Sequence, residues 1–104
     1  MAQVQITLKL KKIGAVLSWE VFLENTNSSS RINQGWRYDE ANDLFIVDLS
    51  NYPVEGPLDV FVGCEGKVGG KVECQVIINS ITKANKVVAN NTDSNYSCRS
   101  YKIN

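Results

Sequence analysis

The sequence predicts an all-β chain folded as an antiparallel two-sheet β-sandwich of Greek-key type, with about eight strands. Three observations predict it. Val, Ile and Thr number 24 against 13 for Ala, Leu and Met, and β-branched side chains fit a pleated, half-buried surface better than a helix. Asn (11) and Ser (9) are abundant, and both favour turns over helix interiors. Apolar residues also recur at every second position, the period of a strand with one buried face. Such strands must hide their apolar side. With no amphipathic helix in the pattern, the covering layer is a second sheet. A small closed β-barrel is the alternative allowed by the same pattern.

The first stripe is Val4, Ile6, Leu8 and Leu10, alternating with Gln5, Thr7, Lys9 and Lys11. The next is Leu17, Trp19, Val21 and Leu23, between Ser18, Phe22 and Glu20. A turn at Ile13-Gly14 that pairs Lys12 with Ala15 sets Leu8 opposite Trp19 and Ile6 opposite Val21, which predicts a hairpin. Residues 25–30 form a polar loop. Trp36 and Tyr38 then pair with Phe45, Val47 and Leu49 over the loop 40–43, with Tyr38 opposite Phe45 and Trp36 opposite Val47.

Residues 50–57 hold both prolines, Pro53 and Pro57, read as lying outside any strand interior. This stretch is too long for a tight hairpin and is expected to cross between the sheets. Leu58, Val60, Val62 and Cys64 face Val72, Cys74, Val76 and Ile78 in a third predicted hairpin. Its loop, Val68-Gly69-Gly70, supplies glycine where φ is positive. Residues 86–89 read as a short edge strand and residues 90–95 as a third polar loop. Tyr96, Cys98 and Ser100 alternate with Ser97, Arg99, Tyr101 and Ile103, which leaves the buried face of the last strand open. No linker divides residues 1–104, so a single domain is expected.

Tyr96-Ser97-Cys98, preceded by Asp93, resembles the Tyr-x-Cys of the antibody tyrosine corner, and the sandwich expected is of the immunoglobulin-like, Greek-key class. The resemblance covers about six residues and departs from the pattern. Asp93 is one residue too close, only six residues follow Cys98, and no early cysteine is present to complete an inter-sheet bridge. It therefore implies no family.

Lys and Arg number 11, Asp and Glu 11, and histidine is absent. Neutral balance argues against nucleic acid as a partner. The lack of histidine removes His-based acid–base chemistry, Ser-His and Cys-His nucleophiles and His metal sites. No apolar run approaches the roughly 20 residues of a membrane span. Cys64 and Cys74 share the inward face of the third hairpin and are read as reduced core residues, with a bridge between them as the alternative. Three cysteines leave one unpaired, and the N-terminus shows no signal-peptide pattern. The expected location is cytoplasmic, although a mature secreted domain with an added Met would read the same. Sequon patterns at Asn27, Asn90 and Asn95 are read as by-products of Asn-rich loops.

Asp39, Asn42 and Asp43, with Glu40, offer hard oxygen ligands for Ca²⁺ but lack EF-hand spacing and read as a solvated turn. Glycines 63–70 are followed by no helix, so they do not make a phosphate loop. Lys9, Lys11 and Lys12 read as a solvated edge that blocks strand addition. Trp19 reads as core. Trp36 and Tyr38 are core by parity or, if exposed, a stacking platform. Phe22 and Phe61 each interrupt a polar face and would form an interaction patch if uncovered. Tyr52 is an exposed aromatic of the crossover loop. No cofactor and no enzymatic activity are expected. The functional expectation is a binding module for a protein partner, monomeric or weakly self-associating. The alternatives are a carbohydrate-binding, lectin-like module that takes a glycan and a structural subunit of a larger assembly.

Overall fold

The computed structural model describes residues 2–92 and 97–103. Nine strands lie among them: β1 (Ala2–Ile13), β2 (Val16–Glu24), β3 (Ser29–Arg31), β4 (Arg37–Asp39), β5 (Leu44–Val54), β6 (Asp59–Gly66), β7 (Lys71–Ile78), β8 (Ile81–Ala89) and β9 (Ser97–Ile103). They form two antiparallel sheets, ordered β4-β5-β1-β7-β8 and β3-β2-β6-β9, which pack face to face without closing into a barrel. No helix of the described residues is long and apolar enough to cross a membrane.

The core follows the period-two reading. Ile6, Leu8 and Leu10 of β1 and Val21 and Leu23 of β2 are buried, as are Val60, Val62 and Cys64 of β6 and Val72, Cys74, Val76 and Ile78 of β7. Each such aliphatic side chain, fully removed from water, contributes roughly 1.5–3 kcal/mol before entropy is charged against it.

The pairing is different. β1 does not pair with β2: Leu8 lies opposite Val47 and Val76, while Trp19 lies opposite Cys64 and Val21 opposite Val62. β6 and β7 likewise belong to opposite sheets. The reason is that inward residues meet across a sandwich with the same parity that they show across a hairpin. The connectors choose between the two arrangements. Gly14-Ala15 and residues 67–70 each carry the chain from one sheet to the other and pack together at one end. Lys67 N–H donates to Ala15 O (2.9 Å), Gly70 N–H to Lys67 O (3.1 Å) and Thr92 N–H to Gly70 O (2.8 Å). The buried Thr92 hydroxyl also donates to Lys67 O. A Cβ on Gly66 would overlap Ala15 O, and one on Gly70 would stand 2.7 Å from it. Glycine is needed at both positions so that the two backbones can approach.

The hairpins are β2–β3, β4–β5 and β7–β8. The second has the expected register, with Tyr38 opposite Phe45. The third turns on Asn79 and Ser80, both at positive φ (50° and 65°), as a type I′ turn requires. β8 therefore begins at Ile81 and forms the sheet edge, with Val87 and Ala89 inward. Ser29 and Ser30 belong to a strand rather than to a loop.

Other expectations are corrected by position. Leu17 is 76% exposed. The β2–β6 register slips between Val16 and Ser18, a bulge that turns the extra residue outward while Trp19, Val21 and Leu23 keep the inward face. Pro53 lies within β5, opposite Gln3. β4 covers only Leu44–Ile46 of that strand, so the missing N–H interrupts no ladder on the uncovered side. The β5–β6 connection does change sheets, as expected. Lys9, Lys11 and Lys12 sit on β1, flanked by β5 and β7, so they do not guard an edge.

Cys64 is neither reduced, the expectation, nor bridged to Cys74, the alternative; it is joined to Cys98. The two residues are opposed on β6 and β9, with Cα atoms 5.5 Å apart, and form a disulfide. Cys74, in the other sheet, is the buried free thiol. The bridge thus joins neighbours within one sheet, unlike the inter-sheet bridge of antibody domains. Cys98 also settles which side of β9 faces inward. Asp93, Asn95 and Tyr96 lie outside the described residues.

Candidate functional site

One flank of the sandwich is closed by a loop rather than by strands. Ile32 N–H donates to Val21 O (2.8 Å), extending the β3–β2 ladder by one step. The chain then leaves for the other sheet through Gly35, at φ +83°, and reaches β4. The Trp36 indole N–H donates back to Ile32 O (2.7 Å), which fixes the ring against the loop.

Past the end of β3, the inward stripe of β2 is no longer covered, and aromatic rings take over the packing. Trp19 meets Trp36 edge-on, with centroids 4.8 Å apart, and Phe45 at 5.4 Å. Tyr38 leans on Phe45 at 5.1 Å, and the Lys12 ammonium lies 5.5 Å from the Phe45 centroid. These four rings line a cleft of about 400 Å³, together with Ile32 and the polar residues Glu20, Arg31 and Asn33. Tyr38 is its most open ring, at 51% exposure, while Trp19, Trp36 and Phe45 are half-buried.

Two of the polar side chains differ in how they are engaged. Glu20, Gly63 and Arg99 form one cross-strand row. A Cβ on Gly63 would come within 2.9 Å of Glu20 Oε1, so its absence gives the carboxylate room to reach across β6. There Glu20 pairs with Arg99 at 3.5 Å. Arg37 pairs with Asp48 at 2.9 Å. None of the ion pairs among the described residues involves Arg31.

The acidic turn below the cleft satisfies itself. Asn42 Nδ2 donates to Asp39 Oδ2 (2.8 Å), and the Tyr38 hydroxyl donates to Asp43 Oδ1 (2.6 Å). The first bond holds the Asp39 carboxyl below its usual range, and the second pushes the Tyr38 hydroxyl above its own. Among the described residues, no group of three or more His, Cys, Asp or Glu side chains is placed to hold a metal.

Of the residues singled out from sequence, Trp36 and Tyr38 line this cleft. Phe22 and Phe61 lie elsewhere, opposite each other on the outer face of the four-stranded sheet. Their rings meet edge to face at 5.8 Å, and the Arg99 guanidinium lies 5.3 Å from the Phe61 centroid. With Glu24 and Arg99 they line a shallow depression of about 210 Å³. Tyr52 is half-buried, opposite Val4, and packs on the core rather than projecting. Sequence reasoning missed Trp19, Phe45, Glu20, Arg31 and Asn33. Trp19 and Phe45 read as core because their parity is inward, and nothing in the sequence says that β3 ends before it reaches Trp19. Compared with protein-family models, curated proteins and solved structures, the chain matches none.

Proposed function

We propose that the protein is a non-enzymatic binding module that takes a carbohydrate in the flank cleft. The observation that carries this reading is the mixed lining: Trp19, Trp36, Tyr38 and Phe45 supply four aromatic rings, and Glu20, Arg31 and Asn33 the polar groups. A pyranose ring has the same division, an apolar C–H face and a rim of hydroxyls. Aromatic faces take the first, and amide, carboxylate and guanidinium groups take the second. The volume falls within the range of small-ligand sites. Glu20 is tied to Arg99, which holds its carboxylate in place as an acceptor.

The test is a glycan array with and without Ca²⁺, followed by titration of the best ligand against the Tyr38→Ala variant. Tyr38 is exposed and supports less of the core than Trp36 does. Binding to a defined saccharide that weakens about tenfold in the variant is the expected result, since a stacked ring contributes on the order of 1–2 kcal/mol. An array without hits in either condition refutes the reading.

A second reading, docking of a protein partner, is favoured by the Phe22–Phe61 pair, two half-buried rings at the centre of a sheet face. Substituting both by Ser should abolish partner recovery in a pull-down while leaving the circular dichroism unchanged. The compartment we propose is an oxidising one. The cytoplasmic expectation rested partly on unpaired cysteines, and the Cys64–Cys98 bridge is of a kind that persists outside reducing compartments.

A further inference from the structure

We infer that the saccharide taken by the flank cleft is an acidic one, and that Arg31 receives its carboxylate. The inference rests on the carbohydrate reading and adds the chemical class of the ligand.

Of the three arginines, Arg37 is engaged by Asp48 and Arg99 by Glu20. Arg31 enters none of the ion pairs among the described residues. Its backbone is fixed on β3 opposite Phe22, and its side chain is exposed. It lines both the aromatic cleft and a smaller groove of about 160 Å³ that continues from it past Ser18 and Glu65. A ring stacked on Tyr38 or Trp36 therefore has a guanidinium at the border of its site. The planar fork of arginine matches a carboxylate through two parallel hydrogen bonds.

The surroundings also set the number of charges. Glu20 lines the same cleft as Arg31 and is paired with Arg99 at 3.5 Å. Glu65 lines the smaller groove with Arg31 and carries a like charge to any incoming anion. One guanidinium with a carboxylate nearby suits a single negative charge and disfavours a doubly charged phosphate. A uronic or sialic acid residue has that charge on a ring of the right size.

The experiment uses the full chain and matched pairs of saccharides. These are oligogalacturonate and oligoglucuronate as free acids and as methyl esters, and sialyllactose beside lactose, each titrated by calorimetry at low and at high salt. The acid of at least one pair should bind about tenfold tighter than its neutral partner, and the difference should shrink with salt. Arg31→Gln should erase the preference, the acid losing far more affinity than its neutral partner. Glu65→Gln should tighten binding of the acid. Equal binding of acid and neutral partner, or a preference that survives Arg31→Gln, overturns this inference while leaving the carbohydrate reading standing. Absence of binding by all of these saccharides overturns this inference, and an empty glycan array beside it overturns the carbohydrate reading as well.

Discussion

Replacing Cys98 with Ala opens the only bridge among the described residues, and its effect follows from chain length. The bridge closes a loop across a sequence separation of 34. The loop-entropy relation then gives a stabilisation of about 4 kcal/mol at room temperature, through restriction of the unfolded chain. Small domains lose about 1–3 kcal/mol of stability per molar urea, so the variant's unfolding midpoint should fall by about 1–4 M relative to the oxidised protein. Thiol counting makes the result specific. Native protein should show no rapidly reactive thiol, because Cys74 is buried and Cys64 and Cys98 are joined. Denaturation without reductant should release one thiol, and denaturation with reductant three. Coincident urea curves for wild type and variant would refute the reasoning. So would a peptide map of the oxidised protein that links Cys64 to Cys74.

Two further outcomes test the register and the buried thiol. Leu17→Ser should change stability by no more than about 0.5 kcal/mol, as an exposed bulge residue would, whereas Leu23→Ala should cost about 2–5 kcal/mol. Equal losses in thermal or urea unfolding would return Leu17 to the core. Burial pushes the Cys74 thiol up to about 12, from an ordinary value of 9.0. Above pH 9 the unfolded chain gives up this proton and the folded chain does not, so the unfolded state binds fewer protons and stability falls. The contribution should be complete below pH 9 and vanish towards pH 12. Urea unfolding across that range should show a shallower alkaline decline in Cys74→Ala, and identical slopes would place the thiol in contact with solvent.

What the sequence made legible was the facing of residues, and what it hid was their neighbours. Ile6, Leu8 and Leu10 had to be inward, because a one-residue slip would have put all three in water. Whether Leu8 met Trp19 through a ladder or Val47 and Val76 beside it could not be read from parity, since both arrangements put the same atoms in the core. The clue lay in the connectors. Gly66 and Gly70 sit close to Ala15 O, a requirement that no single strand pattern expresses. Asn79-Ser80 was a readable I′ turn that the apolar run 76–78 masked. The cysteines show the same limit: Cys64 was correctly placed inward, but its partner depended on β9 returning beside β6.

That limit explains why the cleft was only half anticipated. Sandwich flanks are usually closed by edge strands that run the length of their neighbours. Here β3 and β4 are three residues each beside strands of nine and eleven. The shortness of β3 leaves the edge of β2 away from β6 without a strand partner before Val21, and Trp19, inward by parity, is left at the mouth of the core beside Phe45, which β4 meets through Tyr38. Trp36 then performs two tasks from the crossing loop. It packs edge-on against Trp19, and its indole N–H donates to Ile32 O, which ties the ring to the loop. The residues that seal the sandwich are therefore the residues that remain reachable from outside. A wall built this way costs the fold little, because its rings would be aromatic for packing alone. The part without a packing reason is Arg31, a charge placed where no carboxylate pairs with it among the described residues, and it is there that a ligand's chemistry is best sought.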